Sequence, residues 1–468
     1  MNTQTTQESY EKIPAYKRIA LIGVGIASFV VSLMQSSISI AVPVIALDLQ
    51  ASAILVSWLP TAYLLGNVML LLPGGKLADI YGRKRIFLIG MAIFTLSCLL
   101  ASIVPNIELL LLTRLLQGMG GALIFATIMA IVTSVFTTKN RGVALGITSG
   151  ALYVGMACGP IIGGYFTETF GWRSVFLFPI PLALLTIALF MFIVKGDWKN
   201  EQPQRVDWIG SLIFLIWSSA LFIGVSNITN PNSYALLVFG AIALVYFFYQ
   251  QARSDTPLIR FKAMMDNRMF SHSLLASMCA YASNFPMFFL FSLYLQFIQG
   301  MSPTDAGKII VLKAVMMAIF APLAGKLSDF FEPRIIATTG CLIMACVYGY
   351  LQSVDTDTSI YLIGIAFMLL GIGVGIFTSP NSNAAMSSVE NSKLGIASAV
   401  LNLARVTGSI LGTAIMLLLV SVIIGEAQIR PEQSLKLLAV IRWSLSASCL
   451  LAILGAYFSY ARGLVYNS

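Results

Sequence analysis

Apolar runs of about 20 residues, each long enough to cross a hydrocarbon core of about 30 Å, recur along the whole chain with short polar interruptions. Fourteen runs are counted, and each predicts a membrane-spanning helix. They lie at 19–43, 53–73, 86–104, 107–135, 142–167, 173–194, 208–226, 233–250, 270–298, 304–329, 334–352, 359–380, 394–424 and 436–461. Several exceed the minimum span, which predicts tilt or helical extension beyond the membrane. Pro160, Pro286 and Pro322 fall inside spans, and each removes a backbone hydrogen bond that neighbouring helices must help to satisfy. The expected fold class is therefore an all-α polytopic membrane protein of packed helices.

Composition agrees: 58% of residues are hydrophobic and 10% charged, against about 25% charged in soluble domains. The net charge of +9 would suit a nucleic-acid partner, but the basic residues follow topology rather than gathering on one domain. With the N-terminus inside, 20 Lys and Arg residues fall in cytoplasmic segments, against four outside: Arg173, Arg430, Lys436 and Arg442. Both termini are expected in the cytoplasm. The polar tail 1–18 ends in a basic pair before a span too long for a signal-peptide core, so an uncleaved multi-pass protein of the cell (inner/plasma) membrane is expected. All six cysteines fall within spans and read as small buried residues, and the lone His272 cannot build a metal site. No GxxxxGK[ST] loop is present, so neither nucleotide, cofactor nor enzymatic activity is expected. The energy source is then an ion or substrate gradient.

The phrase GKLADIYGRKR begins at Gly75, and a worn copy, GKLSDFFEPR, begins at Gly325. Both fall in loops on the cytoplasmic side, after spans 2 and 10. Such spacing predicts a parallel internal repeat with two helices inserted. The expected organisation is a tail at 1–18, a six-helix bundle at 19–194, a linker with spans 7 and 8 at 195–268, a second six-helix bundle at 269–461 and a tail at 462–468. The repeated phrases are then expected at corresponding joints of the two halves.

GGKLADIYGRKR (Gly74 to Arg85) resembles the signature loop of the major facilitator superfamily, and the 6+2+6 count is similar to its 14-span drug:proton antiporter branch. Further resemblance lies in LLTRLLQGMGGA (Leu111 to Ala122), GALYVGMACGPIIGG (Gly150 to Gly164), GIGVGIFTSPNSNAAM (Gly371 to Met386) and LNLARVTGSILGTA (Leu401 to Ala414). It implies a major facilitator fold and a secondary transporter working by alternating access. The implied activity is export of amphipathic organic compounds, drugs or metabolites, by proton antiport of the multidrug-efflux kind. The implied partners are a small-molecule substrate, protons and the bilayer; the oligomeric state is left open, with a monomer favoured. Two other readings stay open: transport of an organic anion, such as a carboxylate metabolite or siderophore, held by Arg114 and Lys313; and a non-transporting receptor or scaffold, since fold does not fix function.

Within the signature, Gly75 would let span 2 approach a neighbour closely. Asp79 sits at the helix end, where it can meet a positive helix N-terminus and, beyond Gly82, the cluster Arg83, Lys84 and Arg85. This reads as an ionic latch between halves, or as a basic cluster that merely fixes topology. The second copy keeps Gly325, Asp329 and Arg334 but replaces the basic run with FFEP, which predicts a weaker latch. In span 5, Gly150, Gly155, Gly159, Gly163 and Gly164 surround Pro160, a stripe suited to a tight crossing with a hinge or seal. The resemblance associates that motif with export.

Charge inside the spans is basic. Arg114 lies about 10 Å from the start of span 4 and is expected to face a wet cavity, or else to be tied to backbone carbonyls. By resemblance it belongs with Gln117 to the proton-coupling or substrate region. Related 14-span exporters carry an acidic residue in span 1 where this chain has Met34, and none of the 19 acidic residues falls mid-membrane. Lys313 lies about 13 Å into span 10. It reads as an anion site, a proton-coupling group, or a lysine snorkelling to the outer interface with Lys308. Arg405 in span 13 reads as structural or coupling. Fold analogy adds Gln35, Tyr63, Asn67, Tyr153, Tyr281, Asn284 and Asn402 as cavity residues, surfaces that suit amphipathic organic substrates.

Overall fold

A computed structural model describes residues 15–136, 138–194, 196–198, 207–226, 231–254, 266–328, 330–389, 394–425 and 433–463. Thirteen helices among them are long and apolar enough to cross a membrane. A further helix, Trp208–Ser226, lies on the seventh predicted span. The first five helices are α1 (Ala15–Asp48), α2 (Ala53–Tyr81), α3 (Arg83–Ala101), α4 (Ile107–Val135) and α5 (Thr138–Phe170). The sixth span is broken into α6 (Arg173–Leu177) and α7 (Ile180–Ala188), the latter running into a π-helical turn, Leu189–Ile193. Pro179 and Pro181 at the break account for it, since neither can donate to the preceding turn. Two helices follow, α8 (Trp208–Ser226) and α9 (Asn232–Arg253).

The ninth span is likewise interrupted, α10 (Arg268–Asn284) giving way at Pro286 to α11 (Pro286–Leu293) and a second π turn, Tyr294–Ile298. The chain ends with α12 (Pro303–Leu327), α13 (Pro333–Leu351), α14 (Ile360–Ser387), α15 (Leu394–Ile423) and α16 (Ser434–Ala461). Asp48, Phe170 and Pro303 share one end of the bundle, and Gly82, Thr138 and Arg334 the other; these are the Asp48 end and the Gly82 end below.

Lipid tails are as apolar as leucine, so helices here gain by touching closely rather than by leaving water. The crossing of α2 and α4 illustrates this. A Cβ on Gly66 would lie 2.1 Å from the Leu115 carbonyl oxygen, and one on Gly118 would lie 2.0 Å from that of Tyr63, so the two backbones are in contact. Helices α1 to α7 interlock around one shared core, and α10 to α16 around its continuation. Helices α8 and α9 pack on each other through Phe214, Trp217 and Phe247, with ring centroids 5.3–6.2 Å apart, and α8 lies against α2 and α15.

The two groups of helices join along α5–α12, α2–α15 and α1–α11. Near the Asp48 end the Gln296 amide donates to the Ile40 carbonyl (2.9 Å), and the Thr304 N–H donates to Glu168 Oε2 (3.2 Å).

Candidate functional site

Tyr281, Asn284, Phe285 and Phe288 recur at the spacing of one helix face and are all half-buried, so they form a stripe along α10 and α11. Seven residues of helix separate its ends, about 10 Å. At one end the Arg405 guanidinium lies 5.6 Å from the Tyr281 ring centroid and donates to Ser382 Oγ at 2.6 Å, with its Nε unpartnered. Tyr153 of α5 stands within electrostatic range of both Tyr281 and Arg405, which brings the two groups of helices to one place.

At the other end Lys313 Nζ sits 4.2 Å over the Phe288 ring centroid. Lys313 is 2% exposed, and neither its Nζ nor Asn284 Oδ1 has a hydrogen-bond partner. Its position follows from α12, where Ala306, Ile310, Lys313, Ala314 and Met317 share the inward face. Lys313 therefore does not snorkel. Lys308 does reach solvent, paired with Asp305 at 2.7 Å. Of the other cavity candidates, Gln35 and Asn402 are half-buried, whereas Asn67 and Tyr63 are buried. Met34 lies in the apolar core.

Arg114 does not face a wet cavity: it is 1% exposed and enclosed by α2, α3 and α4. Its Nε donates to the Leu59 carbonyl (3.3 Å), Nη1 bonds Gln117 Oε1, and the guanidinium lies 4.8 Å from the Tyr63 ring centroid. Gln117 in turn donates to Cys98 Sγ at 2.9 Å. The glycine contacts between α2 and α4 are what enclose it, because they bring the Leu59 turn against the Arg114 turn. Arg114 and Lys313 thus belong to separate clusters.

The signature loop also differs from expectation. Arg83 donates from Nη2 to Asp79 Oδ1 (2.9 Å), and from Nη1 to the Ala130 carbonyl (3.2 Å) and Ser134 Oγ. This pair ties α2, α3 and α4 together within one group rather than latching the two groups. Asp197, after the sixth span, completes the joint. It accepts from the Lys84 N–H (3.2 Å), pairs with Arg85 (3.0 Å) and so caps the N-terminus of α3, while Lys84 Nζ donates to the Val194 carbonyl (2.6 Å). Gly82 has φ +109°, and a Cβ there would lie 2.2 Å from Asp197 Oδ1.

In the sequence Asp197 carries one signal, a carboxylate in the basic stretch KGDWK. Gly75, expected at a close contact, has open space where a Cβ would project, and the contact belongs to Gly74, 2.8 Å from Leu123 Cδ2.

At the second copy of the phrase the charges are exchanged. Glu332 occupies the N-cap position of α13 and lies within electrostatic range of Arg462, just past α16. Arg462 is 1% exposed and donates to Asn381 Oδ1 at 2.8 Å, and burial pulls its guanidinium down to about 10. Arg334 lies 5.0 Å from the Tyr460 ring centroid, and a Cβ on Gly325 would meet Ser379 at an ordinary 3.5 Å. Asp329 lies outside the described residues, as does Glu390.

The span 5 stripe divides between two partners. Cβ atoms on Gly155, Gly159 and Gly163 would strike Phe29, Ser36 and Ser37 of α1 within 2.7 Å. A Cβ on Gly164 would instead lie 2.5 Å from the Pro303 carbonyl oxygen of α12, and one on Gly307 of α12 would lie 2.3 Å from the Pro160 carbonyl oxygen. Gly150 has nothing within 4 Å of its projected Cβ and takes no part.

Comparison with known proteins places this geometry. The chain is 30% identical over 402 residues to the riboflavin transporter RibZ of Clostridioides difficile strain 630, covering 85% of this chain and 87% of that protein. It is 28% identical over 407 residues to the multidrug resistance protein Stp of Mycobacterium tuberculosis strain CDC 1551, covering 85% and 75%. In fold it matches a bacterial homologue of the human lysosomal transporter Spinster, solved inward-facing and unoccupied, with a TM-score of 0.70 at 16% identity over 96% of this chain and 97% of that one. The family model of the Major Facilitator Superfamily matches residues 24–413. With its apolar spanning helices and this fold, the chain belongs to the Major Facilitator Superfamily and is a secondary transporter.

Proposed function

We propose that the protein exports amphipathic aromatic compounds across the cell membrane, in exchange for protons, by alternating access between two six-helix halves. The observation that carries the reading is the stripe Tyr281–Asn284–Phe288, flanked by Arg405 and Lys313 and met by Tyr153 from the other half. Flat aromatic faces with a few polar groups accommodate ring compounds better than hydrated ions. The Gly82 end is taken as cytoplasmic, and contacts at the Asp48 end then close the outer side. One relative is named for riboflavin, a ring compound, and another for multidrug resistance, which supports a reading of organic substrates. Met34 leaves span 1 without a carboxylate, so proton exchange falls to another group, and Lys313 is the buried titratable side chain nearest the stripe.

The test is reconstitution in liposomes loaded with a pH-sensitive dye, with neutral, anionic and cationic aromatic amphiphiles added in turn. Proton movement driven by at least one class, and lost with Tyr281→Ala, is expected. Lumenal pH that stays flat with every compound, for protein shown to be folded and inserted, overturns the reading.

A further inference from the structure

We infer that the stripe takes an aromatic anion, and that Lys313 is the group that holds its negative charge; this rests on the transport site proposed above. Three observations converge. Lys313 is buried, its ammonium has no hydrogen-bond partner, and its contact is the face of Phe288. A buried ammonium left so is costly, and the cost is recovered when a ligand brings the opposite charge. One turn along the stripe from Phe288, Asn284 Oδ1 is also unpartnered, an acceptor awaiting a donor on the same ligand. Finally, the acids of its own helix and of the neighbouring α5, Asp305 and Glu168, are engaged near the Asp48 end with Lys308 and the Thr304 N–H.

The two cations do not compete for one role. Arg405 already donates to Ser382 and faces the Tyr281 ring, whereas Lys313 has all three N–H bonds free. The ligand that fits lies with its rings along Tyr281 and Phe288. Its carboxylate, or an equally acidic group, points toward Lys313 and its neutral polar edge toward Asn284. A cationic amphiphile would meet like charge at both ends.

The experiment measures equilibrium binding of radiolabelled 1-naphthoate, and of its neutral isostere 1-naphthamide, to the purified full-length protein. It compares wild type with Lys313→Met, Lys313→Arg and Arg405→Gln, each checked for a cooperative melt. Wild type is expected to prefer naphthoate by about tenfold or more, as a charge-assisted contact in a dry site implies. The preference should fall to about unity in Lys313→Met, survive in part in Lys313→Arg, and persist in Arg405→Gln. Equal binding of the two compounds by wild type, or a preference that survives Lys313→Met, overturns the inference. So does a preference lost in Arg405→Gln alone. In each of these cases naphthamide binding leaves the aromatic transport site standing, whereas binding of neither compound by folded wild type removes both.

Discussion

Replacing Gly82 with alanine tests the joint at the signature loop. With φ +109° and ψ 132°, Gly82 occupies backbone space that costs a side-chain-bearing residue about 1–3 kcal/mol. The new Cβ would also lie 2.2 Å and 2.3 Å from the two Asp197 carboxylate oxygens. Displacing that carboxylate removes the cap of α3, a loss of about 1 kcal/mol. The total is about 2–4 kcal/mol. Asp197→Ala removes only the cap, because its ion pair with Arg85 is largely exposed and adds little.

In the double variant the clash has gone, so the two losses should fall short of their sum by about 1 kcal/mol. Thermal melts in detergent with a thiol-reactive dye read this out as a rise above the baseline set by the exposed Cys346 and the half-buried Cys158 and Cys449, since Cys98, Cys279 and Cys341 are buried until the protein unfolds. Gly82→Ala should lower the midpoint by roughly 2–4 °C, with Asp197→Ala above it. Gly75→Ala, facing open space, serves as the control and should move little. Strict additivity in the double variant, or a Gly82→Ala no worse than Gly75→Ala, refutes the reasoning.

Gly118→Ala places a Cβ 2.0 Å from the Tyr63 carbonyl, and backbone cannot rotate aside; a loss of about 2 kcal/mol or more is expected in the same melt. Arg114→Lys should destabilise by about 1–3 kcal/mol, because an ammonium cannot reach the Leu59 carbonyl and Gln117 together while stacking on Tyr63; a melt unchanged from wild type would contradict that. Gly164→Val should part α5 from α12 at the Asp48 end, seen as faster labelling of a cysteine placed at Gln296 by a membrane-impermeant maleimide. Arg83→Gln should lower stability by about 1–2 kcal/mol in the same melt, because the charged tie from α3 to Asp79, Ala130 and Ser134 is lost.

The spans were readable because membrane thickness imposes one length on every crossing; span 4 falls on α4 residue for residue at 107–135. Less readable was the break at Pro286, where proline warned of a lost hydrogen bond but not that a new helix would begin. Arg114 announced itself as a charge at depth. Which neighbour it meets depends on the α2–α4 crossing, and no property of its own span carries that information. Asp197 was hidden for a similar reason: its partners Lys84 and Arg85 lie far along the chain, and only the tertiary fold brings the sixth span's exit beside the start of the third. The glycines of span 5 spoke of close approach. They could not say that three serve α1 and one serves α12.

That division gives α5 two seams of different texture. Against α1, Gly159 and Gly163 admit serine side chains that interdigitate, and Ser37 Oγ donates to the Gly159 carbonyl at 2.9 Å. Against α12, bare backbone meets bare backbone at Gly164 and Gly307. Two smooth surfaces part with little friction, because no rotamer has to turn before they separate and none has to be found again when they return. A carrier that reopened this seam at every turnover would lose time to interlocking side chains, so glycine here sets a clock rate as much as a distance.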